Sequence, residues 1–216
     1  MQTSIPLKEI IEFLGSDIKT IHGNPEGIVV SKLSDPQNVD ETTLDWISDR
    51  RPDKQFLAEN SKAQAIVVTS DVTYSESLKR QGKVLVVVAN PKMAIAKVGN
   101  NFFVDKPKPQ IHPTAILHPE VILGENVVIG PYCVIGKCKI GNNSVLDANV
   151  VLYDNTTIGN NVYIHSGAII GTDGLGCERE ADGTLIKFPH LGGVVIEDNV
   201  DIGAGCQIAK GALSNT

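Results

Sequence analysis

Cysteine is scarce in this chain: four thiols stand among 216 residues (Cys133, Cys138, Cys177, Cys206), with no CxxC pair. A disulfide framework is therefore not expected, and five scattered histidines add no zinc-ligand spacing. Aromatic residues make up only 5% of the chain, and tryptophan occurs once. No apolar run reaches the roughly eighteen residues that a membrane helix requires. The opening MQTSIPLKEIIEF lacks the basic start and long apolar core of a secretory leader. A reducing cytoplasm is the expected compartment. Basic charge is short as well, 19 Lys and Arg against 25 Asp and Glu, for a net charge of −6. That balance excludes a broad nucleic-acid-binding face but leaves room for a local basic pocket holding a phosphate.

What the chain does have is a repeat. From Ile111 an aliphatic residue recurs every sixth position, at Leu117, Leu123, Ile129 and Ile135. The series loses one residue after Cys138 and resumes at Ile140, Leu146, Leu152, Ile158, Ile164 and Ile170. After an interruption it returns at Ile196, Ile202 and Ile208. Four residues beyond each anchor the side chain is small or β-branched, as at Ala115, Cys133, Ser144, Val150, Thr156 and Ala168. Cys206 falls in the same slot, so it is expected inside with Cys133. A period of six suits neither a 3.6-residue helix nor a long alternating strand. It suits short strands joined by tight turns, three to a coil, whose anchors stack on those of the next coil. An up-and-down sandwich needs a strand spacing of about 8–12 residues and is set aside.

The first hundred residues read differently. Ile5, Leu7, Ile10, Ile11 and Leu14 predict a short amphipathic helix that stops at Gly15. The apolar runs at 65–68 and 84–88 predict buried strands, and Asn90-Pro91 supplies a helix N-cap and first-turn proline. This is a small α/β domain. Pro107, Pro109 and Pro113 stiffen the passage into the solenoid. Two domains are expected, 1–105 and 106–216, the second carrying an excursion at about 172–193.

The hexads resemble the hexapeptide-repeat acyltransferases, whose coils form a left-handed parallel β-helix that trimerises. Within them, the order of domains and the run His165-Ser166-Gly167-Ala168-Ile169-Ile170-Gly171-Thr172-Asp173-Gly174-Leu175-Gly176 resemble the UDP-3-O-acylglucosamine N-acyltransferases of lipid A biosynthesis. The stretch from Gly193 to Ala204, the closing Gly211-Ala212-Leu213 and the early Asn90-Pro91 strengthen the likeness. The fold class implied is mainly β, a left-handed parallel β-helix preceded by a small α/β domain. The activity implied is transfer of a 3-hydroxyacyl chain from acyl carrier protein to the 2-amino group of UDP-3-O-acyl-glucosamine. An amine attacks a thioester only when unprotonated, so the chemistry calls for a histidine base near neutral pH. Backbone N–H groups in an inter-subunit groove would hold the oxyanion, and neither a metal nor a resident cofactor is implied.

The resemblance puts the family's catalytic histidine on a later coil, beyond the Gly211-Ala212-Leu213 segment. No catalytic residue is therefore carried over, the solenoid is expected to be incomplete at its C-terminus, and the chain is expected to be inactive alone. His165, directly after anchor Ile164, is the lesser candidate for a base, against a reading as an outward polar residue bonded locally; His112 and His118 share its hexad slot. The resemblance also implies a uracil site in the first domain. It sets Trp46 as the stacking aromatic and Asp49 at the position of an edge-reading amide. A half-buried core role for Trp46 is equally consistent with its residue type. A carboxylate at Asp49 accepts from the uracil N3–H but cannot donate to O4. Pro52 stands where a second aromatic belongs, and Arg50 or Arg51 is read either as a phosphate partner or as part of a solvated charge cluster. In the excursion, Leu175, Leu185, Ile186 and Phe188 are expected to pack that loop onto the coils, with an acyl-binding surface as the other reading. Val128, Val134, Val145 and Val151 are expected to form an outward apolar stripe that a trimer would cover. Two other functions stay open at this point: another sugar-nucleotide acyltransferase using acetyl-CoA, and a non-catalytic trimeric scaffold.

Overall fold

The computed structural model describes residues 4–216, which divide after Asp105 into two compact units. The first is built on a four-stranded sheet. In chain order its elements are β1 (Ile5–Pro6), α1 (Leu7–Leu14), β2 (Ile18–His22), β3 (Val29–Val30), β4 (Leu44–Trp46), α2 (Lys54–Asn60), β5 (Ala65–Val68), α3 (Glu76–Arg80), β6 (Val84–Val88) and α4 (Pro91–Val98). The sheet order is β2-β6-β5-β4, with β4, β5 and β6 parallel and β2 antiparallel at the edge. Every residue of β5 and β6 is buried, because alternate side chains enter two separate cores. Ala65, Val67, Val84, Val86 and Val88 pack with Leu7, Ile10, Leu14, Ala94 and Val98. Ile66, Val68, Leu85 and Val87 pack with Ile47, Ala58, Val72 and Leu78. Helices α1 and α4 thus cover one face of the sheet, and α2 and α3 the other. Each fully buried Leu or Ile among them contributes about 1.5–3 kcal/mol.

The predicted opening helix starts two residues later than Ile5, since Ile5–Pro6 pairs antiparallel with Val29–Val30. It ends at Gly15, whose φ of +47° lies in the region that favours glycine. Asn90 caps α4 as its residue type predicts, its Oδ1 accepting from the Met93 N–H at 3.0 Å.

The second unit is a three-sided coil of parallel strands. One sheet stacks Gln110–Ile111, Val128–Ile129, Val145–Leu146, Tyr163–Ile164 and Asp201–Ile202. A second stacks Ile116–Leu117, Val134–Ile135, Val151–Leu152, Ile169–Thr172 and Gln207–Ala209. The third stacks Ile122–Leu123, Lys139–Ile140, Thr156–Ile158 and Val194–Ile196. The hexad anchors from Leu117 on form the interior, where Ile129, Leu146, Ile164 and Ile170 are fully buried and the small +4 residues Cys133, Val150 and Ala168 fill the space beside them. The first anchor, Ile111, is exposed. The lost residue after Cys138 shows in the register, where Asn142 lies 17 residues above Glu125 and Asn160 lies 18 above Asn142.

The corners follow from asparagine. Asn126, Asn143, Asn161 and Asn199 stand one above another with φ between 55° and 61°, a left-handed turn that asparagine tolerates better than most residues. Their side-chain amides form a ladder, each donating Nδ2 to the Oδ1 above at 3.1, 3.4 and 3.3 Å. Beside them the next coil comes so close that a Cβ on Gly141 would meet the Gly159 carbonyl at 2.5 Å. The interruption leaves the coil after Thr172 and carries an antiparallel hairpin, Cys177–Arg179 with Leu185–Lys187. It returns at Val194, so that Asp198 sits 38 residues above Asn160 while keeping the same corner bond.

Candidate functional site

The first unit holds a cleft of about 610 Å³ where β4 ends. Its wall draws on three segments distant in sequence: the loop 34–39, the end of β4 with the turn after it (45–51), and the last turn of α2 with the residues after it (57–62). The first loop is held by its own carboxylates. Asp35 accepts from Gln37 N–H at 2.9 Å and Asn38 Nδ2 at 2.8 Å, and these bonds keep its carboxyl below the ordinary range. Asp40 is held far below that range by Lys32, whose Nζ is 2.6 Å from Oδ2, while the Thr42 and Thr43 hydroxyls donate to Oδ1. Within β4, Asp45 accepts from the Trp46 N–H at 2.8 Å and from Ser61 Oγ at 2.5 Å, tying that strand to the residue after α2.

Trp46 is half-buried, packed against the core under α1 and α4, and it also lines the cleft. Asp49 is exposed and does not line the cleft; its carboxylate accepts from Ser48 Oγ at 3.3 Å, and its carbonyl accepts from Lys54 Nζ at 3.0 Å. Of the two adjacent arginines, Arg51 lines the cleft and Arg50 does not. Arg51 lies in a fork against Asp53, Nε at 2.8 Å and Nη2 at 2.6 Å, which raises the guanidinium pKa and lowers that of the carboxyl.

On the coil, His165 sits in a stacked polar cluster on the first sheet. Its Nδ1 is 3.4 Å from Asp147 on the coil below and its Nε2 is 3.1 Å from Asp201 on the coil above. Tyr163 lies beside the imidazole, ring centroids 4.5 Å apart, and donates its hydroxyl to Asp147 at 2.9 Å. Burial and that carboxylate raise the phenol pKa. A general base needs a nitrogen lone pair free to face substrate, and both nitrogens of His165 face carboxylates of this chain. The other histidines close local structure. His112 and His118 use Nδ1 within their own turns, toward Thr114 and the Glu120 N–H, while His22 stacks on Tyr74 and His190 faces the Phe188 carbonyl.

The excursion differs from its expected packing. Leu175, Leu185, Ile186 and Phe188 are all exposed, because the hairpin's two short strands pair with each other and with no strand of the coil. Cys133 and Cys138 are buried, with pKa values raised by burial, and donate to the Asp147 and Tyr153 carbonyls. Cys206 is exposed instead of interior, since no coil of this chain stacks on it. The valines expected in one stripe are split between sheets: Val128 and Val145 lie on the first, Val134 and Val151 on the second. Val128 is buried, and the apolar column on the second sheet runs Ile116, Val134, Val151, Ile169. Loops and corners escaped the sequence reading because their contacts join residues far apart. Among the described residues, no helix is long and apolar enough to cross a membrane, and no cluster of His, Cys, Asp and Glu is arranged for a metal.

The bacterial transferase hexapeptide family model, six repeats, matches residues 107–137 and 137–172, which lie in the three-sided parallel β-coil. A UDP-3-O-acylglucosamine N-acyltransferase of Pseudomonas putida KT2440 is 32% identical over 237 aligned positions, covering 100% of this chain and 64% of that protein. One from Paracidovorax citrulli is 31% identical and covers 99% of this chain and 62% of its own length. The chain thus spans less than two thirds of the length of these curated relatives. Among solved structures, a UDP-N-acetylglucosamine acyltransferase from Bacteroides fragilis is 31% identical, with a TM-score of 0.39 over 46% of this chain and 36% of that one. Hexads, coil and end-to-end similarity agree: the chain is similar along its whole length to UDP-3-O-acylglucosamine N-acyltransferases, and its coil carries the bacterial transferase hexapeptide repeat.

Proposed function

We propose that this chain supplies the nucleotide-binding unit and acceptor-groove coils of an N-acyltransferase. The reaction moves a 3-hydroxyacyl chain from the thioester of acyl carrier protein to the 2-amino group of UDP-3-O-acyl-glucosamine. The observation that carries it is similarity running through the whole chain, so that the cleft around Trp46 and the hexads are matched together. The cleft offers an aromatic face beside polar backbone and a fixed guanidinium, which suits a pyrimidine nucleotide. No step calls for a metal or a resident cofactor. Exposed free thiols at Cys177 and Cys206 suit a reducing, cytoplasmic setting.

Three copies of the coil would cover the column Ile116, Val134, Val151 and Ile169, and the threefold groove so formed would receive the acyl chain. The exposed leucines, isoleucine and phenylalanine of the excursion supply apolar surface to it. These 216 residues alone are expected to transfer no acyl group, because both nitrogens of His165 are directed at carboxylates. A single-turnover assay with the carrier-protein thioester and the UDP-sugar tests this, and product formation would refute it. Thermal shift separates the substrate readings. UDP-N-acetylglucosamine should raise Tm and CoA should not, whereas stabilisation by CoA alone would favour an acetyl-CoA-dependent enzyme.

A further inference from the structure

We infer that Arg51 is the diphosphate-reading residue of the cleft, oriented for that role by Asp53. The inference rests on the cleft being a uridine nucleotide site, and it adds which charged group distinguishes nucleotide from nucleoside. Two cations line the cleft, Arg51 and Lys62, together with two anions, Asp35 and Asp45. Both anions have both oxygens engaged internally: Asp35 by Gln37 and Asn38, Asp45 by Trp46 and Ser61. They close the loops and present little accepting capacity to a ligand.

The two cations differ in how they are held. Lys62 is exposed and, among the described residues, makes no ion pair, so holding it against a phosphate costs side-chain entropy. Arg51 is already held. Its Nε and Nη2 bond the two Asp53 oxygens, and Asp53 stands immediately before α2. One edge of the fork is spent on Asp53, and the Nη1 side stays available in a fixed plane. A planar donor pair fixed in advance is the arrangement that phosphate oxygens select. Arg50, its neighbour, lies outside the cleft and has no such partner among the described residues. The Asp53 carboxylate also moderates the positive charge, so the site favours a diphosphate that reaches Nη1 over a free anion attracted only by field.

The test is calorimetric titration of the full chain with uridine, UMP and UDP. Arg51→Gln should weaken UDP about tenfold, the size expected for losing a charge-assisted bond. Uridine affinity should stay within about twofold of the unsubstituted chain, since no phosphate is present to feel the change. Arg51→Lys should fall between the two, keeping charge and losing the fork, and Lys62→Gln should weaken UDP no more than about threefold. An equal loss for uridine and UDP would show that Arg51 only shapes the loop and would overturn the inference. Unchanged UDP affinity in Arg51→Gln would overturn it too. If the unsubstituted chain binds neither uridine nor UDP, the nucleotide reading of the cleft itself fails, a result recognisable before any variant is made.

Discussion

Single side chains set the chemistry of this molecule more than any element does. Trp46 serves the core and the cleft at once, so Trp46→Ala should lower UDP affinity by about 10–100-fold, the usual range for one lost base stack. Calorimetry on the folded variant checks this, and unchanged affinity would remove Trp46 from the site. Thr156 is 1% exposed inside the coil, and its hydroxyl has no hydrogen-bond partner among the described residues. Thr156→Val keeps the shape and removes the stranded hydroxyl, so it should stabilise by about 1 kcal/mol in urea unfolding. Asp173 faces Lys187 at 2.6 Å and Lys210 at 2.9 Å, which lowers its pKa from 3.8 to about 2. A carboxyl depressed in the fold contributes stability that is complete above its unfolded pKa and lost as pH falls through its folded one. The protection of amides in the excursion, meaning their exchange relative to the intrinsic rate at each pH, should therefore fall between about pH 4 and pH 2, and Asp173→Asn should abolish that dependence.

Elements differ in how far the sequence discloses them. The hexad strands are legible because each anchor must be aliphatic to fill a narrow interior, so burial writes itself as a period. β5 and β6 are legible for a related reason, being buried on both faces. β2 is not: its burial is confined to its ends, and Ile18-Lys19-Thr20-Ile21-His22 carries neither a clean alternation nor an apolar run. β4 and the cleft loops escape because their meaning lies in tertiary contacts, such as Ser61 with Asp45 across 16 residues of chain. The asparagine corners were visible as letters but not as structure, since their role is a backbone angle and a bond to the next coil. That role gives a prediction. Asn161→Ala should cost about 1–2 kcal/mol more than Asn161→Gly, because both lose the ladder bonds and only alanine must also hold φ near 55°. Equal losses in chemical denaturation would show that the turn is not strained.

At the scale of the whole molecule, two units with separate cores make one chain, and the coil shows its apolar column on a single sheet. If that column joins three copies, Val134→Glu should leave the first unit's UDP binding intact while shifting sedimentation to a monomer; a trimer that survives would place the contact elsewhere. The stacking itself has a mechanical corollary. Each rung is bonded only to the rungs above and below, so a chain pulled from its end should peel rather than rupture at once. An 18-residue turn frees roughly 60 Å of contour when it lets go. The turn bearing the excursion, where 38 residues separate stacked corners, should release about twice that length in one step. A force–extension trace would then carry a ruler of the protein's own architecture, one long tread among shorter ones.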